Sequence, residues 1–112
     1  METEIYPKGN YQIIKIKDVL NLTSEIDSLE DIVTNLVKEN HVHIAVHFSD
    51  GSYLCSRSGA TLIRCWEHIK ENDGILALLN VNKDIHDFLT IIDLDSLIRT
   101  FDKEDDLLSL EE

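Results

Sequence analysis

The sequence predicts an α/β domain: a mixed, mainly parallel sheet of about five strands carrying about four helices. Three observations point there. The hydrophobic period switches repeatedly between two and about 3.6 along the chain. An unbroken apolar run, Ile75-Leu76-Ala77-Leu78-Leu79, sits between helical patterns, as expected of an interior parallel strand covered on both faces. The turn signal Pro7-Lys8-Gly9-Asn10 separates two short extended runs near the start and supplies an antiparallel edge.

Taken in order, residues 5–6 and 11–16 read as two strands, since Ile14 and Ile16 alternate with Lys15 and Lys17. Ser24, followed three residues later by Asp27, resembles a capping box. Ile26, Leu29, Val33, Leu36 and Val37 then recur at helical spacing as far as Asn40. Residues 41–48 return to period two, with Val42, Ile44, Val46 and Phe48 on one face. His41, His43, Ala45 and His47 occupy the other, expected to be a solvated face. A second helix spans residues 59–72 with Leu62, Ile63, Trp66 and Ile69 inward, stopped by Asp73-Gly74. Beyond the apolar strand, Asn82 caps a short helix bearing Ile85, Phe88 and Leu89. Residues 97–101 form a last strand, and Asp102 caps a terminal helix carrying Leu107, Leu108 and Leu110. The resulting order, ββαβαβαβα, requires crossover helices between parallel strands.

No Pro/Gly/Ser-rich stretch divides the chain, so one domain over residues 1–112 is expected. Its 43% hydrophobic content suffices for one core, and 29% charged residues suit an ordinary folded surface. Twenty-two Asp and Glu against ten Lys and Arg leave a formal charge of -12, which repels phosphate backbones and anionic headgroups. Nucleic acid and membrane surfaces are therefore not expected partners. No apolar run approaches the roughly 20 residues of a membrane span, and Met1-Glu2-Thr3-Glu4 lacks secretory-signal character, so a cytoplasmic location is expected. Cys55 and Cys65 match neither a CxxC pair nor a multi-cysteine framework, so neither a disulfide nor a zinc site is assigned.

Function is expected in Ser49-Asp50-Gly51-Ser52-Tyr53-Leu54-Cys55-Ser56-Arg57-Ser58-Gly59-Ala60, a strand-to-helix junction dense in hydroxyls and small residues. Loops at the carboxyl ends of parallel strands are exposed on a rigid scaffold, and the helix start beyond offers free amides and partial positive charge. A phosphate on a serine there is electrostatically favoured.

At these residues the chain resembles the STAS domain family, which includes bacterial anti-sigma-factor antagonists. Family members carry a strand ending in Asp-Leu-Ser, a short segment closing on Tyr-Ile-Asp-Ser-Ser-Gly-Leu-Gly, then a helix and an apolar strand. His47-Phe48-Ser49 and Tyr53-Leu54-Cys55-Ser56-Arg57-Ser58-Gly59-Ala60 keep that register without a gap. Lys70-Glu71-Asn72-Asp73-Gly74 and Ile75-Leu76-Ala77-Leu78-Leu79-Asn80 continue it, and residues 14–22 resemble the family's second strand and following loop. The resemblance implies a regulatory protein-binding domain, not an enzyme, needing no cofactor. Its implied partner is an anti-sigma factor that is also a serine kinase. The phosphoacceptor implied is Ser56, with Ser58 as the alternative, and the partner surface implied comprises Asn21, Cys55, Ser56, Arg57, Ser58 and Gly59. This sequence departs from the motif in three places: Cys55 stands for its aspartate, Arg57 for its second serine and Ser58 for its glycine. Asn21 stands where many members carry aspartate.

Other readings stand beside this one. Ser56 and Ser58 suit helix N-cap positions. With a degenerate motif the same surface docks constitutively, as a STAS scaffold. A small-ligand or nucleotide-binding module would use the helix start for phosphate, although no Gly-rich phosphate loop is present. Catalysis by Cys55 would need a depressed thiol pKa, and no Gly-x-Ser-x-Gly elbow accompanies it.

Overall fold

The computed structural model describes residues 1–111, with side chains placed through residue 108. Its elements are β1 (Thr3–Lys8), β2 (Tyr11–Ile16), α1 (Ser28–Lys38), β3 (His43–His47), α2 (Ser56–Glu71), β4 (Ile75–Leu79), α3 (Lys83–Ile91), β5 (Arg99–Phe101) and a 3₁₀ segment, Glu104–Glu111. The sheet runs β1-β2-β3-β4-β5, with β1 antiparallel to β2 and the other neighbours parallel. The mixed, mainly parallel sheet inferred from the sequence is present.

Each parallel strand is next to its predecessor, and right-handed crossovers between such neighbours place every connecting helix on the same face. The main core lies there. Ile14, Ile44, Val46 and Leu78 of the sheet pack with Leu29 and Val33 of α1, Leu62 and Ile69 of α2, and Ile85 and Leu89 of α3. Leu62, Ile69, Ile85 and Leu89 are therefore inward as their spacing predicts, while Ile63, Trp66 and Phe88 are only partly buried against this core.

The helix ends differ from their sequence signals. Helix α1 begins at Ser28 rather than after Ser24, because Ser24 Oγ accepts instead from the Asn21 amide at 2.9 Å. Helix α2 begins three residues before the expected Gly59. Cys55 occupies its N-cap position, and the Gly59 amide donates to the Cys55 carbonyl at 3.0 Å, so neither Ser56 nor Ser58 is the N-cap. Asn82 does cap α3, its Oδ1 accepting from the Ile85 amide at 2.8 Å. Strand β5 is shorter than expected because the Leu97 and Ile98 amides turn back to the Leu94 carbonyl. At the α2 stop, Asp73 takes the left-handed conformation at φ 59°. Gly74 is then required by a close approach, since a Cβ there would lie 2.1 Å from the Val42 carbonyl oxygen.

The opposite sheet face, expected from the histidine pattern to be solvated, is instead covered. Tyr11, Ile13, Ala45, Ala77 and Leu79 form a second, smaller core with Leu107 from the C-terminal segment. His43 tilts against Tyr11 with ring centroids 5.7 Å apart, and His47 Nδ1 lies 2.7 Å from Glu104 Oε2. The terminal element is 3₁₀ rather than the expected α-helix, leaving three α-helices among the described residues where about four were expected. It begins at Glu104, and Leu107 is its fully buried residue among those described. One such leucine does not make the apolar stripe that sustains an α-helix. Leu110 lies outside the described side chains.

Candidate functional site

Side-chain hydrogen bonds join the junction to the carboxyl ends of β2 and β4. Ser49 Oγ donates to the Ile16 carbonyl at 2.6 Å, tying the end of β3 to the end of β2. Fully buried Ser52 accepts at Oγ from the Leu20 amide at 3.0 Å, and the Tyr53 amide donates to the Leu20 carbonyl at 2.8 Å. The β2–α1 and β3–α2 loops are thereby fastened to each other. From beyond β4, Asn80 Nδ2 donates to the Phe48 carbonyl at 2.9 Å and to Asp50 Oδ1 at 2.7 Å. Asn82 Nδ2 donates to the Ser52 carbonyl at 2.8 Å. Asn80 achieves its position in the left-handed region, at φ 58°, a conformation Asn tolerates better than most residues.

Sequence reasoning did not single out Ser52, Asn80 or Asn82 as builders of this site. Asn82 was legible as a helix cap, but its second role depends on which loop the sheet brings beside it.

On this frame the sequence-inferred site residues separate into two layers. Ser56, Arg57 and Asn21 are exposed, and Cys55 is half-buried. Ser58 is only 2% exposed, and its Oγ lies 3.5 Å from Cys55 Sγ. Gly59 is buried, and a Cβ there would meet Ile92 Cδ1 and Phe88 Cζ at 3.0 Å, so its small size lets α2 pack on α3. Asn21 makes a local turn, accepting at Oδ1 from the Thr23 amide at 2.9 Å and from Thr23 Oγ1 at 2.7 Å. Val19, Leu22 and Tyr53 are exposed on the same two loops, Leu22 by 68%.

Arg57 turns toward the chain ahead of α1, with Nη1 3.0 Å from Glu25 Oε1 and Nη2 2.5 Å from Asp27 Oδ2. The Arg57 guanidinium holds the Asp27 carboxyl below its ordinary pKa, helped by Thr61, and this outweighs partial burial. Thr61 Oγ1 also donates to Asp27 Oδ1 at 3.3 Å. At the helix start, the hydrogen bond with Ser58 and the amides of Ser58 and Arg57 lower the Cys55 thiol pKa. Burial instead pushes Cys65 up to about 12. Such a junction can present a hydroxyl and an apolar rim in fixed geometry, beside the amides of a helix start.

Among the described residues, no three His, Cys, Asp or Glu side chains are grouped to hold a metal ion. No helix among them is long and apolar enough to cross a membrane. A cleft of about 390 Å³ lies away from Ser56, between the start of α3 and the end of β5, lined by Asn82, Lys83, His86, Thr100, Asp102 and Asp106 among others.

This architecture is the STAS fold. Solved structures match it along nearly its full length. A candidate anti-sigma factor antagonist from Thermotoga maritima aligns with a TM-score of 0.78 at 16% identity, covering 96% of this chain and 92% of that one. An anti-sigma-factor antagonist (STAS) domain protein from Planctomyces limnophilus aligns at 0.73 with 17% identity, covering 98% of each chain. The Bacillus cell fate determinant SpoIIAA in its phosphorylated form aligns at 0.72 with 11% identity, covering 99% of this chain and 100% of that one. At the level of sequence, no family model and no curated protein matches the chain.

Proposed function

We propose that this chain is a cytoplasmic partner-binding regulator of the anti-sigma-factor-antagonist kind, docking an anti-sigma factor that is also a serine kinase, with control by phosphorylation at Ser56. The observation that carries the reading is the exposed Ser56 hydroxyl in the first turn of α2, at a junction joined to the ends of β2 and β4 and beside exposed Val19, Leu22 and Tyr53. Asn21, Cys55, Ser56 and Arg57 form the contact layer, with Ser58 and Gly59 beneath it as supports. Ser58 is the less suitable acceptor, because its burial requires the helix start to open before a kinase reaches it.

A phosphoserine adds about -1.5 to -2 charge and three acceptor oxygens. At residue 56 the nearby helix-start amides favour it in the free protein. In a complex, the same dianion has to be desolvated against whatever covers Leu22 and Tyr53, so modification opposes docking on an apolar counter-surface. Arg57 does not cancel that charge freely, since it is engaged by Glu25 and Asp27.

The test is a pull-down from native cytosol with wild type, Ser56→Ala and Ser56→Asp, recording the intact mass of recovered wild type. Phosphate localised to Ser56, with a kinase-type partner kept by the alanine variant and lost by the aspartate variant, supports the switch. The same partner held by all three, with no phosphate, leaves constitutive docking as a STAS scaffold.

A further inference from the structure

At its amino end, β4 runs past its neighbour β5. The two strands pair only from Ala77 to Leu79, because the Leu97 and Ile98 amides turn back to the Leu94 carbonyl. Ile75 and Leu76 therefore begin β4 beside a groove of about 320 Å³, whose lining also includes Trp66 and Lys70 from α2 and Leu97 and Arg99 from the β5 side. Ile75 is 38% exposed, Leu97 is 50% exposed and Trp66 is half-buried, so an indole and two aliphatic side chains meet solvent in one place. A concave, mainly apolar lining with a few charged groups, at the lower end of the roughly 300–1,000 Å³ range of ligand pockets, suits a small molecule better than a folded partner.

The charged groups of the lining are both cations. Lys70 and Arg99 are exposed, and neither pairs with a carboxylate among the described residues. In a chain of formal charge -12, this groove reverses the prevailing sign. The wider acidic field is screened beyond about 10 Å at 0.1 M salt, so an anion inside the groove responds mainly to these two groups. Each cation also has a local structural reason for its place: Lys70 complements the dipole in the last turn of α2, and Arg99 puts a charge on an edge strand. Neither reason requires the two to share a groove with an exposed indole. The planar fork of Arg99 suits a carboxylate bidentately, and Lys70 adds a second positive charge from the helix side.

We infer that this groove binds a small amphipathic carboxylate, its apolar body against Trp66, Ile75 and Leu97 and its carboxylate at Lys70 and Arg99. An uncharged apolar ligand leaves both cations unmatched, and a purely polar anion leaves the apolar lining wet. Ser56 is at the other end of α2, and the rise of 1.5 Å per residue puts Trp66 and Lys70 roughly 15–21 Å further along that helix. The site is therefore separate from the β3–α2 junction and stands whether or not Ser56 is modified.

The chain has one tryptophan, so its fluorescence reports on this groove directly. Octanoate and 4-phenylbutanoate, with their neutral counterparts 1-octanol and 4-phenylbutanol, are titrated into the full chain below micelle-forming concentrations. Trp66 emission and amide NMR shifts follow binding to wild type, Lys70→Gln and Arg99→Gln. Both substituted side chains are exposed, and thermal unfolding of each variant checks that the fold is kept. The expected result is saturable binding of at least one carboxylate, with shifts centred on residues 66–76 and 97–99. Its neutral counterpart should bind at least about tenfold more weakly, and each variant should bind the carboxylate at least about fivefold more weakly, as loss of a charge-assisted hydrogen bond implies. Equal affinity for the alcohol, or unchanged affinity in both variants, would overturn the proposal. Shifts centred elsewhere, or no saturable binding of either carboxylate, would overturn it as well.

Discussion

Replacing Ser52 with alanine tests whether one buried hydroxyl fastens the two loops around Ser56. Ser52 is fully buried, and its Oγ is the acceptor for the Leu20 amide at 3.0 Å. Alanine removes a single atom, so the cavity contribution is small. The main effect is a buried N–H left without its partner, which costs about 1–3 kcal/mol. The Tyr53-to-Leu20 backbone bond at 2.8 Å and the Asn82-to-Ser52 bond at 2.8 Å survive, so the loops loosen without separating. In a domain of this size each kcal/mol lowers Tm by roughly 4 °C, giving an expected loss of roughly 4–12 °C. Thermal unfolding measures the Tm loss, and urea unfolding followed by Trp66 fluorescence measures the free energy, with an unchanged m-value as the check that the unfolded state is not altered. Amide NMR shifts should move most at residues 19–22 and 52–58. A loss below about 0.5 kcal/mol would refute the reasoning, because surface substitutions with no structural role fall in that range.

Gly74→Ala should cost at least about 3 kcal/mol in the same assay, because its Cβ falls on the Val42 carbonyl that the Ile75 amide needs; a near-neutral result would mean the backbone there moves freely. Cys55→Asp should stabilise the domain by about 1 kcal/mol by restoring a side-chain acceptor at the uncapped start of α2, and a loss of stability would show that the thiol's contacts with Ser24 and Ser58 outweigh capping. In competitive alkylation at pH 8, Cys55 should react at least about a hundredfold faster than Cys65, since a lowered pKa and partial exposure act together on the first and burial on the second. Comparable rates would contradict the geometry of the helix start. For pH, burial pushes Glu104 up, but hydrogen bonds from Tyr6 and His47, with the charges of His47 and Lys8, outweigh it and leave its pKa lowered. A carboxyl lowered on folding stabilises above its unfolded pKa and loses that contribution as pH falls through the folded value. Stability should therefore decline below about pH 5, less steeply in Glu104→Gln. An identical slope in that variant would show that Glu104 does not contribute.

Much of the architecture was legible because local patterning and the sheet agree. The Gly9-Asn10 turn, the period of β2 and β3, the unbroken run of β4 and the Asn82 cap each signal through residues close in sequence. The candidate loop was legible for a similar reason, being a hydroxyl-rich junction at the end of a parallel strand. The misplaced boundaries have long-range causes. Ser24 looked like a cap until the Asn21 turn took its hydroxyl, and Gly59 looked like a helix start although its role is close packing against α3.

By itself the sequence determined the α/β order, the parallel crossovers and the acidic surface, because these follow from periodicity, turn chemistry and charge count. Only the tertiary structure decided that Ser56 is exposed while Ser58 is buried, two residues apart on one helix, since α2 has a solvent side and a packed side. It alone brought Ser52 to Leu20, Asn80 to Asp50 and Glu104 to Tyr6 and His47. Those contacts join residues 30 to 98 positions apart, and nothing in a local window marks which distant loop a folded sheet will set beside a given side chain.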